Sequence, residues 1–122
     1  MTDNRPRPHR VDYDKVRQTN ERIWTTDGPT LVTGWRHECC DWLAATVVRN
    51  GRGYTITHLP TGAHLLGDGG DVPLRPACEY AGDALALLVR LSEEEWLRDL
   101  EYPAGQEAAD RLNTIVDAWR TQ

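Results

Sequence analysis

The residues best equipped for chemistry in this 122-residue chain are four histidines and three cysteines. Imidazole ligates metals and titrates near neutrality, and a thiolate is both nucleophile and metal ligand. His58 and His64 flank one turn, and His37 stands just ahead of the adjacent pair Cys39-Cys40, with Cys78 far downstream. The candidate metal ligands are therefore His58, His64, His37 and Cys40. Structural zinc sites, however, show ligands in spaced pairs such as C-x₂-C. Adjacent cysteines on an extended chain point to opposite sides, so the expectation is free thiols, no metal and no cofactor. Cysteine catalysis would need a thiolate beside an imidazole. Cys40 with His58 or His64 is the one pairing to weigh, and no local signature marks it. Ser92 is the only serine and reads as a helix cap. The loop Gly67-Asp68-Gly69-Gly70-Asp71 has neither the Glu that closes an EF-hand nor the Gly-Lys-Ser/Thr of a phosphate loop. No catalytic residue is assigned; the first reading is a non-enzyme, and a small enzyme or metal-binding protein using the His/Cys cluster stays open as the alternative.

Positioning the two turn histidines requires a sheet. The stretch Cys40–Leu66 reads as strand, turn, strand, turn, strand. Strands are expected over Trp42–Arg49 and Tyr54–Leu59, joined by Asn50-Gly51-Arg52-Gly53, whose residues tolerate positive φ. A turn centred on Gly51-Arg52 sets Arg49 opposite Tyr54, Val47 opposite Ile56 and Ala45 opposite His58. The next turn, Leu59-Pro60-Thr61-Gly62-Ala63, reads as a bulged corner that places His58 opposite His64 and Ile56 opposite Leu66, whereas a two-residue loop would move His64 to the other face. Ala45, Val47, Ile56, His58, His64 and Leu66 then share one face. Thr46, Val48, Thr55 and Thr57 share the other, which reads as half-solvated.

Around this meander the pattern predicts helices. Tyr13, Val16, Asn20 and Ile23 recur at helical spacing over Asp12–Trp24, and Asp27-Gly28-Pro29 would end that helix. Thr30–Arg36 reads as a further strand beside the Trp42 strand, with Gly34 a bulge. Pro76 suits the first turn of a helix to about Leu91, striped by Ala77, Ala81, Ala84, Leu85, Leu88 and Leu91. It should cross the Val47–Ile56 face. Ser92 with Glu95 makes a capping box for a second helix, whose first turn holds Glu93-Glu94-Glu95. Pro103-Ala104-Gly105 breaks it, and a third runs from Gln106 to Arg120. The expected fold is α+β: an N-terminal helix, a three- or four-stranded antiparallel meander, and three C-terminal helices on one face. Residues 1–10 read as a flexible arm and 11–122 as one domain.

Composition narrows the partners. The chain has 14 basic and 19 acidic residues, net −5. Residues 1–61 carry nine basic and seven acidic groups (net +2), and residues 62–122 carry five and twelve (net −7). The second half therefore repels nucleic acid and attracts a basic partner. No apolar run approaches the roughly 20 residues of a membrane span, and no secretion signal opens the chain. A cytoplasmic protein with reduced thiols is expected.

Two resemblances bear on function. A helix, three strands and a helix resemble the double-stranded RNA-binding domain in outline. The lysine cluster that opens that domain's second helix is replaced here by Arg75-Pro76-Ala77-Cys78-Glu79, and nucleic-acid binding then falls to the basic arm alone. The run Tyr54-Thr55-Ile56-Thr57-His58-Leu59-Pro60-Thr61-Gly62, followed by an alanine-rich helix, resembles small uncharacterised accessory proteins of phages and plasmids. That likeness implies a binder, or an inhibitor, of a host or replication factor. The expected function is protein binding, through Thr46, Thr55, Thr57, His58 and His64 on the sheet or through Glu93, Glu94 and Asp99 on the acidic helices. The partner is an unknown protein; an acidic surface that mimics nucleic acid is one version of this reading.

Overall fold

The computed structural model describes residues 11–25, 28–59, 64–67, 74–100 and 105–121, with the backbone alone for residues 23–25, 39–41 and 50. The fold is α+β: a five-stranded antiparallel sheet in the order β1-β2-β3-β4-β5 with two α-helices. The strands are β1 (Val16–Thr25), β2 (Gly28–His37), β3 (Ala45–Asn50), β4 (Gly53–His58) and β5 (His64–Leu66). The helices are α1 (Ala81–Leu91) and α2 (Gln106–Arg120). No described helix is long and apolar enough to cross a membrane.

The expected N-terminal helix is a strand. A 3₁₀ turn at Tyr13–Lys15 leads into β1, which pairs with β2 over ten positions, from Val16–His37 to Thr25–Gly28. The helical stripe was thin, whereas Asp27-Gly28 is a hairpin signal and the Thr-, Ile- and Trp-bearing run suits a pleated ladder. Gly28 takes φ +101°, which a side chain would resist. Context overrides a weak helical preference here. Beyond β2 a 3₁₀ segment, Glu38–Leu43, turns the chain into β3.

The central hairpin has the expected register: Ala45–His58, Val47–Ile56 and Arg49–Tyr54 are partners, and Gly51 takes φ +62°. Gly34 marks close approach, with no bulge in the β1–β2 ladder. A Cβ there would fall onto the Thr46 hydroxyl. Among the described residues β2 is laddered to β3 at Gly34–Val48 and Trp35–Val47. The rest of the β1–β2 ribbon runs on past that junction, and Pro29, Thr30, Leu31 and Thr33 are exposed along it.

α1 lies across β3 and β4 on the side of Val47 and Ile56, as expected. Leu85, Leu87, Leu88 and Leu91 join Leu43, Val47, Ile56, Leu65 and Leu66 in the core, with Leu97, Leu112 and Val116 added from the C-terminal elements. Burying a leucine or isoleucine contributes about 1.5–3 kcal/mol, so this cluster holds the layers together. α1 begins later than Pro76 because Cys78 still belongs to the sheet. Its N–H donates to Tyr54 O at 3.0 Å and its carbonyl accepts from Tyr54 N at 2.7 Å. Ser92 closes α1 rather than opening a helix: its hydroxyl donates to Val89 O at 2.6 Å and its N–H to Leu88 O at 3.0 Å. The expected second C-terminal helix is thus a short 3₁₀ segment, Glu95–Asp99, while α2 matches its expected bounds.

Candidate functional site

The histidines separate. His58 lies across from Ala45 on the side that α1 covers, and it is buried. His64 pairs instead with Thr57, because a bulge absorbs Leu65 before Ile56–Leu66 restores the ladder. Register therefore puts His64 on the threonine side, opposite to His58, and the expectation of two adjacent imidazoles is overturned. A one-residue slip on one strand flips its side chains, and the bulge supplies that slip. Pro60–Ala63, the corner that was to fix this geometry, lies outside the described residues.

Each imidazole has its own surroundings. Burial pushes the His58 ring below the ordinary histidine value. His64 Nδ1 is shut from solvent and has no hydrogen-bond partner among the described residues. His37 is buried beside the start of the chain, where Nε2 accepts from the Asp12 N–H at 3.2 Å. Among the described residues no three His, Cys, Asp or Glu side chains converge to hold a metal ion. The Cys39 and Cys40 side chains lie outside the described residues. Cys78 is buried, which raises its thiol, and Arg120 Nη2 approaches its sulfur at 3.8 Å. A thiol held protonated in this way is a poor nucleophile.

The threonine side is not half-solvated. Thr46, Thr55 and Thr57 are 0%, 3% and 1% exposed, so none offers a surface to a partner. The Thr46 hydroxyl donates to Trp35 O and the Thr55 hydroxyl to Val48 O, which satisfies both inside the sheet. A glycine beside each makes room: Gly34 against Thr46 and Gly67 against Thr55. Alternation alone cannot reveal that both faces of a strand are covered.

The acidic surface is partly neutralised. Arg90 holds Glu94 at 3.1 Å and Glu93 at 3.7 Å, and Glu94 also accepts from Trp96 Nε1 at 3.2 Å. Arg75 grips Asp117 with two bonds of 2.7 and 2.8 Å, and that bond holds the Asp117 carboxyl below its usual range. Asp99 is exposed at the end of its 3₁₀ segment. Such local pairing lessens the negative field that mimicry of nucleic acid would need. Residues 1–10, the candidate phosphate-binding arm, lie outside the described residues.

What the structure does present is the β1–β2 ribbon. β1 is the terminal strand, so the outward N–H and C=O groups, those of alternate residues along its ten, have no strand beside them among the described residues. β1 packs almost wholly on β2. On β2, Leu31 is 66% exposed and faces Arg22 across the ladder. Nothing in the helical reading of Asp12–Trp24 could have shown this edge; the Asp27-Gly28 dipeptide was the available signal. Protein-family models, curated proteins and solved structures all return no match to the chain.

Proposed function

We propose that the protein is a non-enzymatic accessory module that binds another protein through the β1–β2 ribbon. The observation that supports this reading is the ribbon's reach: ten paired positions, of which two residues of β2 are tied to β3. An open strand edge offers main-chain hydrogen bonds, and the side chains beside it give selectivity. Leu31, Arg22 and Thr30 stand at the exposed end for that purpose. The resemblance read in residues 54–62 would imply a host or replication factor as that partner.

Affinity capture from lysate, with wild-type protein and Leu31→Asp run side by side, tests the reading. Leu31 is largely in solvent, so the variant folds, and the proteins retained by the wild type should fall about tenfold or more. Identical sets of captured proteins from the two baits would overturn it.

A further inference from the structure

The open edge of β1 carries charges, and their order restricts what can lie beside it. Edge strands usually avoid pairing by being short or by carrying proline, a bulge or a lysine. β1 is ten residues long, VRQTNERIWT, with no proline, glycine or lysine within it. Arg17, Glu21 and Arg22 would deter an arbitrary strand. They suit one strand well, namely β1 of another molecule.

We propose that two copies of this chain pair through β1, antiparallel and centred on Thr19, so that two sheets join edge to edge. This deepens the reading of the ribbon as a protein-binding element and rests on it. An antiparallel two-fold normal to the sheet keeps each face continuous, so the centre must fall on a residue. Centred on Thr19, Arg17 meets Glu21 of the second copy, and Glu21 meets its Arg17. Other centres are poorer. Glu21 or Arg22 at the centre sets like charges against each other, and Asn20 leaves Glu21 against threonine. Gln18 uses Lys15, which lies in the 3₁₀ turn outside the strand. Opposite-charge and Thr–Thr pairs both stabilise neighbouring strands, whereas like charges oppose them.

The partners that Arg17 and Glu21 now hold do not oppose pairing across the seam. Arg17 now contacts Glu38 at 2.7 Å, but both side chains are well exposed, at 59% and 44%, and such pairs exchange partners readily. Glu21 is 3.9 Å from Arg36, so it can accept a second cation without losing the first.

The test is sedimentation equilibrium of the full chain and of charge-reversed variants, up to about 0.3 mM. Wild type should dimerise, and Arg17→Glu alone or Glu21→Arg alone should weaken dimerisation at least tenfold. Mixed together, the two single variants should form a heterodimer, and the double variant should recover self-pairing. Thr19→Cys should cross-link under oxidation far faster than Asn20→Cys. A monomer at every concentration overturns the dimer, as does a dimer indifferent to the charge swaps. Capture of a partner by a monomeric wild type would leave the ribbon reading standing. Dimerisation combined with no effect of Leu31→Asp would remove that reading's partner and keep the dimer.

Discussion

Gly34 illustrates how much a single missing methyl decides. Its Cα lies against the Thr46 side chain, and a Cβ would occupy the space of that hydroxyl. Gly34→Ala should therefore cost about 1–3 kcal/mol, the usual range for overpacking a filled site. Thr46→Ala introduced into the same chain removes the obstructing atoms and should return a large part of the loss. Urea unfolding of the two single variants and the double variant measures the coupling, and strict additivity would contradict the contact. By contrast, a Cβ at Gly105 meets no atom of the described residues. The sequence shows a glycine inside a strand, which reads equally as a bulge or as close approach. Only the neighbouring strand decides between them. The same holds for His64, whose face depended on one extra residue in a three-residue strand.

At the level of elements, the ribbon and the central hairpin should open separately. β3 and β4 are buried on both faces, while Asn20, Arg22, Pro29, Thr30, Leu31 and Thr33 are exposed along the far part of the ribbon. Native-state hydrogen exchange should find the β3–β4 amides opening only with global unfolding. Amides of residues 20–25, 28 and 30–32 should exchange through smaller openings, at least tenfold faster. Equal protection throughout would mean that the ribbon is anchored more firmly than its two pairs with β3 imply. The central hairpin was legible because Asn50-Gly51-Arg52-Gly53 fixes both turn and register locally. α2 was legible because a long amphipathic stripe has one reading. β1 was not, because a polar strand at an edge lacks the alternation that distinguishes it from a surface helix. The start of α1 was hidden for a related reason. Pro76 suits a helix, yet the bonds between Cys78 and Tyr54 join residues far apart in sequence, and no local signal announces them.

For the molecule as a whole, the buried His58 ring links stability to acidity. Its folded-state value lies below the ordinary 6.5 that the unfolded chain keeps, through burial. Below about pH 6.5 the unfolded state takes up a proton that the folded state resists, so stability falls as pH falls and levels off below the folded value. One such group contributes a slope of up to about 1.4 kcal/mol per pH unit within that window. Urea midpoints from pH 7.5 down to about pH 5 should show the decline. His58→Gln, neutral at every pH, should flatten it; the same slope in both proteins would mean that other groups carry the effect.

The junction of the ribbon with β3 has a mechanical consequence. A load applied near Leu31 travels down a twisted two-stranded lever and arrives at Gly34–Val48 and Trp35–Val47. At that fulcrum one side lacks a side chain and the other carries an indole, which meets the Tyr54 ring edge-on with centroids 6.2 Å apart. Whatever grips the far end thus works against that aromatic contact and against α1, which packs on β2 as well.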